Sequence, residues 1–172
     1  RVTNILRQFL LNDKIDLTLA SYDNNLPIAV EHIRLTRNRL KDNFSVIQYV
    51  RKNKIDIVLT HTHIGKHFIL APKLFTSAKV VWEVHGFSEE RLFLYGSISR
   101  IRFWFLKFFH SFLYMCADMV TTPNDTATKI VAKYAKKAVT IAGGVDITIF
   151  NPKILPGDYV PNAKEKIIIG YA

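Results

Sequence analysis

The sequence predicts an α/β domain built on a doubly wound parallel sheet, and three observations carry that expectation. Short strand-like runs alternate with longer segments of helical periodicity from about residue 15 to residue 142. The strand-like runs are close to continuously apolar, as strands covered on both faces are. Polar or glycine residues follow four consecutive runs, where the chain must turn into a helix.

Taken in order, Val2, Ile5, Leu6, Phe9 and Leu10 recur at helical spacing and give one apolar face. After Asn12-Asp13, the run Ile15 to Leu19 alternates as a strand, Ser21 to Asn25 is a polar turn, and Leu26 to Leu35 is a second strand. Leu40, Phe44, Ile47 and Val50 mark a helix ending in Arg51-Lys52-Asn53-Lys54, where positive charge suits the C-terminal dipole. Ile55 to Thr60 is a compact strand, followed by a histidine-bearing loop and a short helix from Lys66 to Phe75. Lys79 to Val84 is the next strand and His85-Gly86-Phe87 its loop. A long helix from about Ser97 to Cys116 leads to a strand from Asp118 to Thr122. Asn124 is placed to cap a helix whose buried stripe is Ala127, Ile130, Val131 and Tyr134. Lys137 to Ala142 is a further strand, closed by Gly143-Gly144. Residues 151–165 carry Pro152, Pro156, Gly157 and Pro161 without periodicity and read as a linker; Lys166 to Gly170 opens another apolar strand.

Composition narrows the function classes. A hydrophobic fraction of 49% with 22% charged residues belongs to a packed domain and excludes a disordered chain. One cysteine, Cys116, excludes an intrachain disulfide and a multi-cysteine zinc site, and favours a reducing compartment. No G-x-G-x-x-G or P-loop run is present, so a dinucleotide-dependent oxidoreductase or an NTPase has no support. The chain opens on Arg1 within a helical pattern and ends just after an apolar run, which suggests a fragment.

In open α/β sheets ligands bind at the carboxyl ends of the strands. His61 and His63 fall there after the third strand, His85 and Gly86 after the fourth, Asn124 after the fifth, and Gly144 after the sixth. His61 and His63 are two apart and share a side on extended chain, so with His85 or His67 they raise a metal reading. No carboxylate or cysteine lies at ligand spacing to complete such a site, and no metal or other cofactor is expected. His85-Gly86 reads equally as a structural strand cap or as a binding pair, the imidazole hydrogen-bonding a hydroxyl or phosphate and the glycine admitting close approach.

Several motifs then fall in one order. They are Asp56-Ile57-Val58-Leu59-Thr60-His61-Thr62-His63, Trp82-Glu83-Val84-His85-Gly86, Ala117-Asp118 through Pro123-Asn124, Gly143-Gly144-Val145-Asp146 and Phe150-Asn151-Pro152. The ordered set resembles the retaining glycosyltransferases of family 4 over roughly residues 1–152. That resemblance implies the N-terminal half of a GT-B enzyme, Rossmann-like and lacking its first strand. Residues 1–150 would form the acceptor-side domain, 151–165 the interdomain linker, and 166–172 the first strand of a donor-binding domain. It further implies transfer from a nucleotide-sugar donor to a glycan or lipid-linked acceptor with retention, the fragment alone being inactive. His85 would be the catalytic contact to the transferred sugar or its diphosphate, and Gly86 would allow its approach. His61 and His63 would line the acceptor side, Asn124 stands where the family often has Ser, and Gly144 and Asp146 would shape the crossover near the donor. Gly143 departs from the family's usual Asn.

A balance of 24 Lys+Arg against 14 Asp+Glu, net +10, admits nucleic acid, an anionic membrane or anionic substrates. The basic residues are spread rather than interleaved with a stacking platform, so no nucleic-acid partner is expected. The stretch Ile101 to Tyr114 is apolar nearly all round but broken by Arg102, Lys107 and His110, and is too short and charged to span a bilayer. It reads first as a core helix with basic side chains snorkelling outward. The other reading is an aromatic face lying on an anionic membrane. The expected location is cytoplasmic, with the inner face of the membrane as a peripheral site. A non-catalytic Rossmann-like module that binds a ligand or a membrane is the alternative to the enzyme.

Overall fold

A computed structural model of the protein describes residues 14–22, 31–61 and 66–142. Six strands and five helices fall among them: β1 Thr18–Ser21, β2 Glu31–Arg34, α1 Arg39–Lys52, β3 Ile57–His61, α2 His67–Phe75, β4 Lys79–Glu83, α3 Ser88–Leu94, α4 Arg100–Cys116, β5 Met119–Thr122, α5 Asp125–Val131 and β6 Ala138–Thr140. The expected helix at residues 2–10, His63, Gly144, Asp146, the linker and the strand at 166–170 lie outside the described residues.

Every strand pairing among the described residues is parallel, and the architecture is Rossmann-like as expected. β1 and β2 form one two-stranded sheet, while β3, β4, β5 and β6 follow in sequence order in a second. A cavity of about 230 Å³, lined chiefly by apolar side chains that include Leu19 of β1, Ile33 of β2, Val50 of α1 and Leu59 of β3, lies between them and reaches His61. Ile57 and Leu59 of β3 are 61% and 48% exposed, so this strand is less covered than its apolar sequence implies.

The main core collects Ile69 of α2, Val80 and Trp82 of β4 with Val84 just beyond it, Leu113 and Tyr114 of α4, Val120 of β5 and Val131 of α5. Val80, Trp82 and Val84 are two apart, so one side of the extended chain enters this core. Trp82 stacks on Tyr114 at a centroid distance of 4.8 Å.

Of the apolar series that marks α1, only Val50 is buried. The helix's buried residues are Asp42, Val46 and Val50, whereas Leu40 and Phe44 are 84% and 61% exposed. The cause is polar: Asp42 Oδ1 accepts from the Thr36 amide at 2.7 Å and from its hydroxyl at 2.8 Å, turning that side of the helix inward. α3 is an element the periodicity did not mark. It ends at Leu94 with Tyr95 as its C-cap, and Gly96 takes φ +65, the left-handed position that closes many helices.

α4 is partly as expected. His110, Leu113 and Tyr114 are buried. Ile101, Trp104, Phe105, Phe108, Phe112 and Met115 stand exposed, Phe108 at 75%. A wholly buried core helix is therefore not what the chain forms, because only the His110-Leu113-Tyr114 side meets the sheet.

Asp118 ties α2 to the sheet. Its carboxylate takes Lys73 Nζ at 2.6 Å and the Val80 amide at 2.9 Å. Burial pushes its pKa up, but the Lys73 and Val80 hydrogen bonds outweigh that and hold it below the ordinary 3.8. A carboxyl depressed on folding contributes stability above its unfolded pKa and loses it as pH falls through the folded value. Urea unfolding followed from pH 7 to pH 2 should show this loss below about pH 4, and Asp118→Asn should flatten that part of the profile.

Candidate functional site

The parallel register builds the site. His61 ends β3 opposite Glu83, which ends β4. His85 lies two residues beyond Glu83, so on extended chain both side chains leave by the same side. The result is a cluster of three: His61 Nδ1 lies 2.6 Å from Glu83 Oε2, His85 Nε2 lies 3.1 Å from Glu83 Oε1, and the two ring nitrogens are 3.4 Å apart. The rings meet edge to face at 4.6 Å. Side-chain exposures of 34%, 19% and 25% place the group at the rim, reachable from solvent yet partly desolvated.

Gly86 follows directly. A Cβ built there meets no atom within 4 Å, so nothing in the fold excludes a side chain at this position. Asn124 stands at the end of β5, and its Oδ1 accepts from the Ala127 amide at 2.8 Å, the helix cap expected from the sequence. Behind it runs a chain of hydroxyls. Thr128 Oγ1 contacts Thr122 Oγ1 at 2.5 Å and Thr140 Oγ1 at 2.8 Å, and Thr140 donates to Asp125 at 2.6 Å. The structure thus brings His61 and His85 together, with Gly86 adjoining, and places Asn124 at the neighbouring strand end in a capping role.

Beneath the rim lies a group that sequence reading did not find. Glu89, in the first turn of α3, and His110 of α4 pair at 2.7 Å with side chains only 5% and 3% exposed. Lys66 Nζ, just before α2, reaches the other ring nitrogen of His110 at 3.4 Å. The arrangement fits one tautomer, Nδ1–H donating to Glu89 and Nε2 accepting from Lys66. Burial pushes the Lys66 pKa down, with Glu89 opposing and Arg39 adding to the fall. The network links the residue before α2 to the first turn of α3 through α4.

Glu83 is the other residue missed. It was visible only as part of the Trp82-Glu83-Val84-His85-Gly86 run, and its meeting with His61 depends on a register between strands 22 residues apart. A carboxylate does therefore stand beside the histidines, contrary to the reason for setting a metal aside.

Chemically, the rim offers two imidazoles and a carboxylate with an open approach at Gly86. These groups can hold a polyhydroxyl or anionic ligand by hydrogen bonds and can move a proton. Comparison with known proteins adds a family. The model described as Glycosyltransferase Family 4 matches residues 13–149. A search of curated proteins finds no match.

Proposed function

The chain belongs to glycosyltransferase family 4, and from that premise we propose that it transfers a sugar from a nucleotide-sugar to a glycan or lipid-linked acceptor with retention at the anomeric carbon. The observation that carries the reading is the convergence of His61, Glu83 and His85 beside the open position of Gly86, at the strand ends where such sheets bind ligands. In this reading His85 donates a hydrogen bond to the sugar or its diphosphate, and that bond strengthens as negative charge develops on the leaving group. Glu83 orients both rings. His61 and His63 face the acceptor, Asn124 adds a polar group at the next strand end, and Gly144 and Asp146 shape the donor side. No further cofactor enters the transfer step.

Gly86→Ala separates ligand from fold. The new methyl meets no protein atom, so stability should stay within about 0.5 kcal/mol of wild type. Sugar transfer by the full-length protein should nevertheless fall, because the methyl occupies space the ligand approaches. Unchanged kcat/KM would take Gly86 out of the site.

The exposed face of α4 supports a membrane-bound acceptor. Ile101, Trp104, Phe105, Phe108, Phe112 and Met115 form an apolar stripe, with Arg100, Arg102 and Lys107 on the same helix and Lys107 Nζ 5.5 Å from the Phe103 ring centre. No described helix is long and apolar enough to cross a membrane. A helix with aromatic and basic residues together suits the interface of an anionic bilayer, here the inner leaflet. The protein should co-sediment with phosphatidylglycerol vesicles and not with phosphatidylcholine vesicles, and the triple change of Trp104, Phe105 and Phe108 to Ser should abolish it. Failure to bind anionic vesicles would remove the membrane from the proposal. Vesicle binding without consumption of any nucleotide-sugar would favour a non-catalytic module.

A further inference from the structure

We propose that His61, Glu83 and His85 form a binding site for one divalent transition cation of the zinc type. The proposal rests on their geometry and not on the transfer reaction.

Three ligand atoms of types that zinc accepts, two imidazole nitrogens and one carboxylate, all lie within 4.8 Å of one another. Bonds of about 2.0–2.2 Å around one cation put neighbouring ligands about 2.8–3.6 Å apart. Two of the three separations here, 3.1 and 3.4 Å, fall in that span. The third, 2.6 Å, is that of a short hydrogen bond and needs only a small opening of the His61 ring.

Proton counting shows what a cation would replace. If Glu83 is ionised it can only accept, so its contacts at 2.6 and 3.1 Å require a proton on His61 Nδ1 and another on His85 Nε2. Both N–H groups then converge on the one carboxylate, with the two ring nitrogens 3.4 Å apart. A single cation placed at that convergence would take the lone pairs of both nitrogens and of the carboxylate together. Two imidazoles and one carboxylate supply three coordination positions. Among the described residues no other group of three such side chains meets in this way.

The test is metal binding to the chelator-stripped protein. Calorimetric titration with Zn²⁺ should give one equivalent, and Co²⁺ should give visible d–d absorption displaced by Zn²⁺. His61→Ala, His85→Ala and Glu83→Gln should each lower affinity beyond the roughly 10–100-fold typical of residues outside the coordination shell. Co²⁺ added to the wild-type protein should also shift the ring-proton NMR signals of His61 and His85, a result that holds even if a variant unfolds. No stoichiometric binding, unshifted His61 and His85 signals, or full affinity in all three variants would overturn the site. Each readout is independent of sugar transfer, so failure of the metal site leaves the transfer reading standing, and the reverse holds too.

Discussion

Replacing His85 with alanine is expected to lower kcat for sugar transfer by the full-length protein about 10²–10³-fold, the cost of removing one hydrogen-bond donor aimed at developing charge. KM for the nucleotide-sugar should change little, since a contact that strengthens only in the transition state contributes little to ground-state binding. The fold should tolerate the change. His85 lies beyond the last residue of β4, with a side chain 25% exposed, outside the core that holds Val84. Steady-state kinetics together with thermal unfolding checks both halves. A variant with wild-type kcat would remove His85 from the chemistry, and one that unfolds would make its role structural.

His110→Ala is expected to have the largest effect on stability, about 3–5 kcal/mol, because it removes the 2.7 Å hydrogen bond from a Glu89 side chain only 5% exposed. The same change removes the edge-to-face contact between His110 and Trp82 at 6.2 Å. Urea denaturation should show the loss as a lower midpoint. Adding Glu89→Leu to His110→Ala should recover part of it, because the buried carboxylate is then gone. A double variant less stable than His110→Ala alone would show that Glu89 acts through other partners. Lys66 precedes α2 and Glu89 lies in the first turn of α3, the helices that follow β3 and β4, so transfer activity should fall with stability even though neither Glu89 nor His110 lies at the rim.

Much of the sheet was legible in sequence because strand formation here is local. Val80, Trp82 and Val84 lie at alternate positions, and all three are buried. Asn124 was placed as a cap from its type and position alone, and its side chain caps α5. The helical faces were less legible. Leu40 and Phe44 mark α1 by their spacing yet stand exposed, and the Thr36–Asp42 hydrogen bonds set the rotation of α1. In α4, apolar residues occur almost all round, so sequence could not choose between a core helix and an exposed aromatic face. Contact with the sheet decides it, burying His110, Leu113 and Tyr114 and leaving Trp104, Phe105 and Phe108 outside.

At the site, His61, His85 and Gly86 were legible from their place after apolar strands. Glu83 was not, because its part depends on the β3–β4 register. The Lys66–His110–Glu89 network was hidden for a related reason: its members come from three separate elements and meet only in the packed fold. The described residues do not include His63, Gly144 or Asp146.

The anomeric proton of the product tests the central reading most directly. Full-length protein, nucleotide-sugar and acceptor would be followed by ¹H NMR in real time. Retaining transfer at this rim predicts a new anomeric signal whose coupling matches the donor's configuration, growing as the nucleotide-sugar signal falls. A product of inverted configuration would contradict retention, and no transfer from any nucleotide-sugar supplied would contradict the enzyme itself.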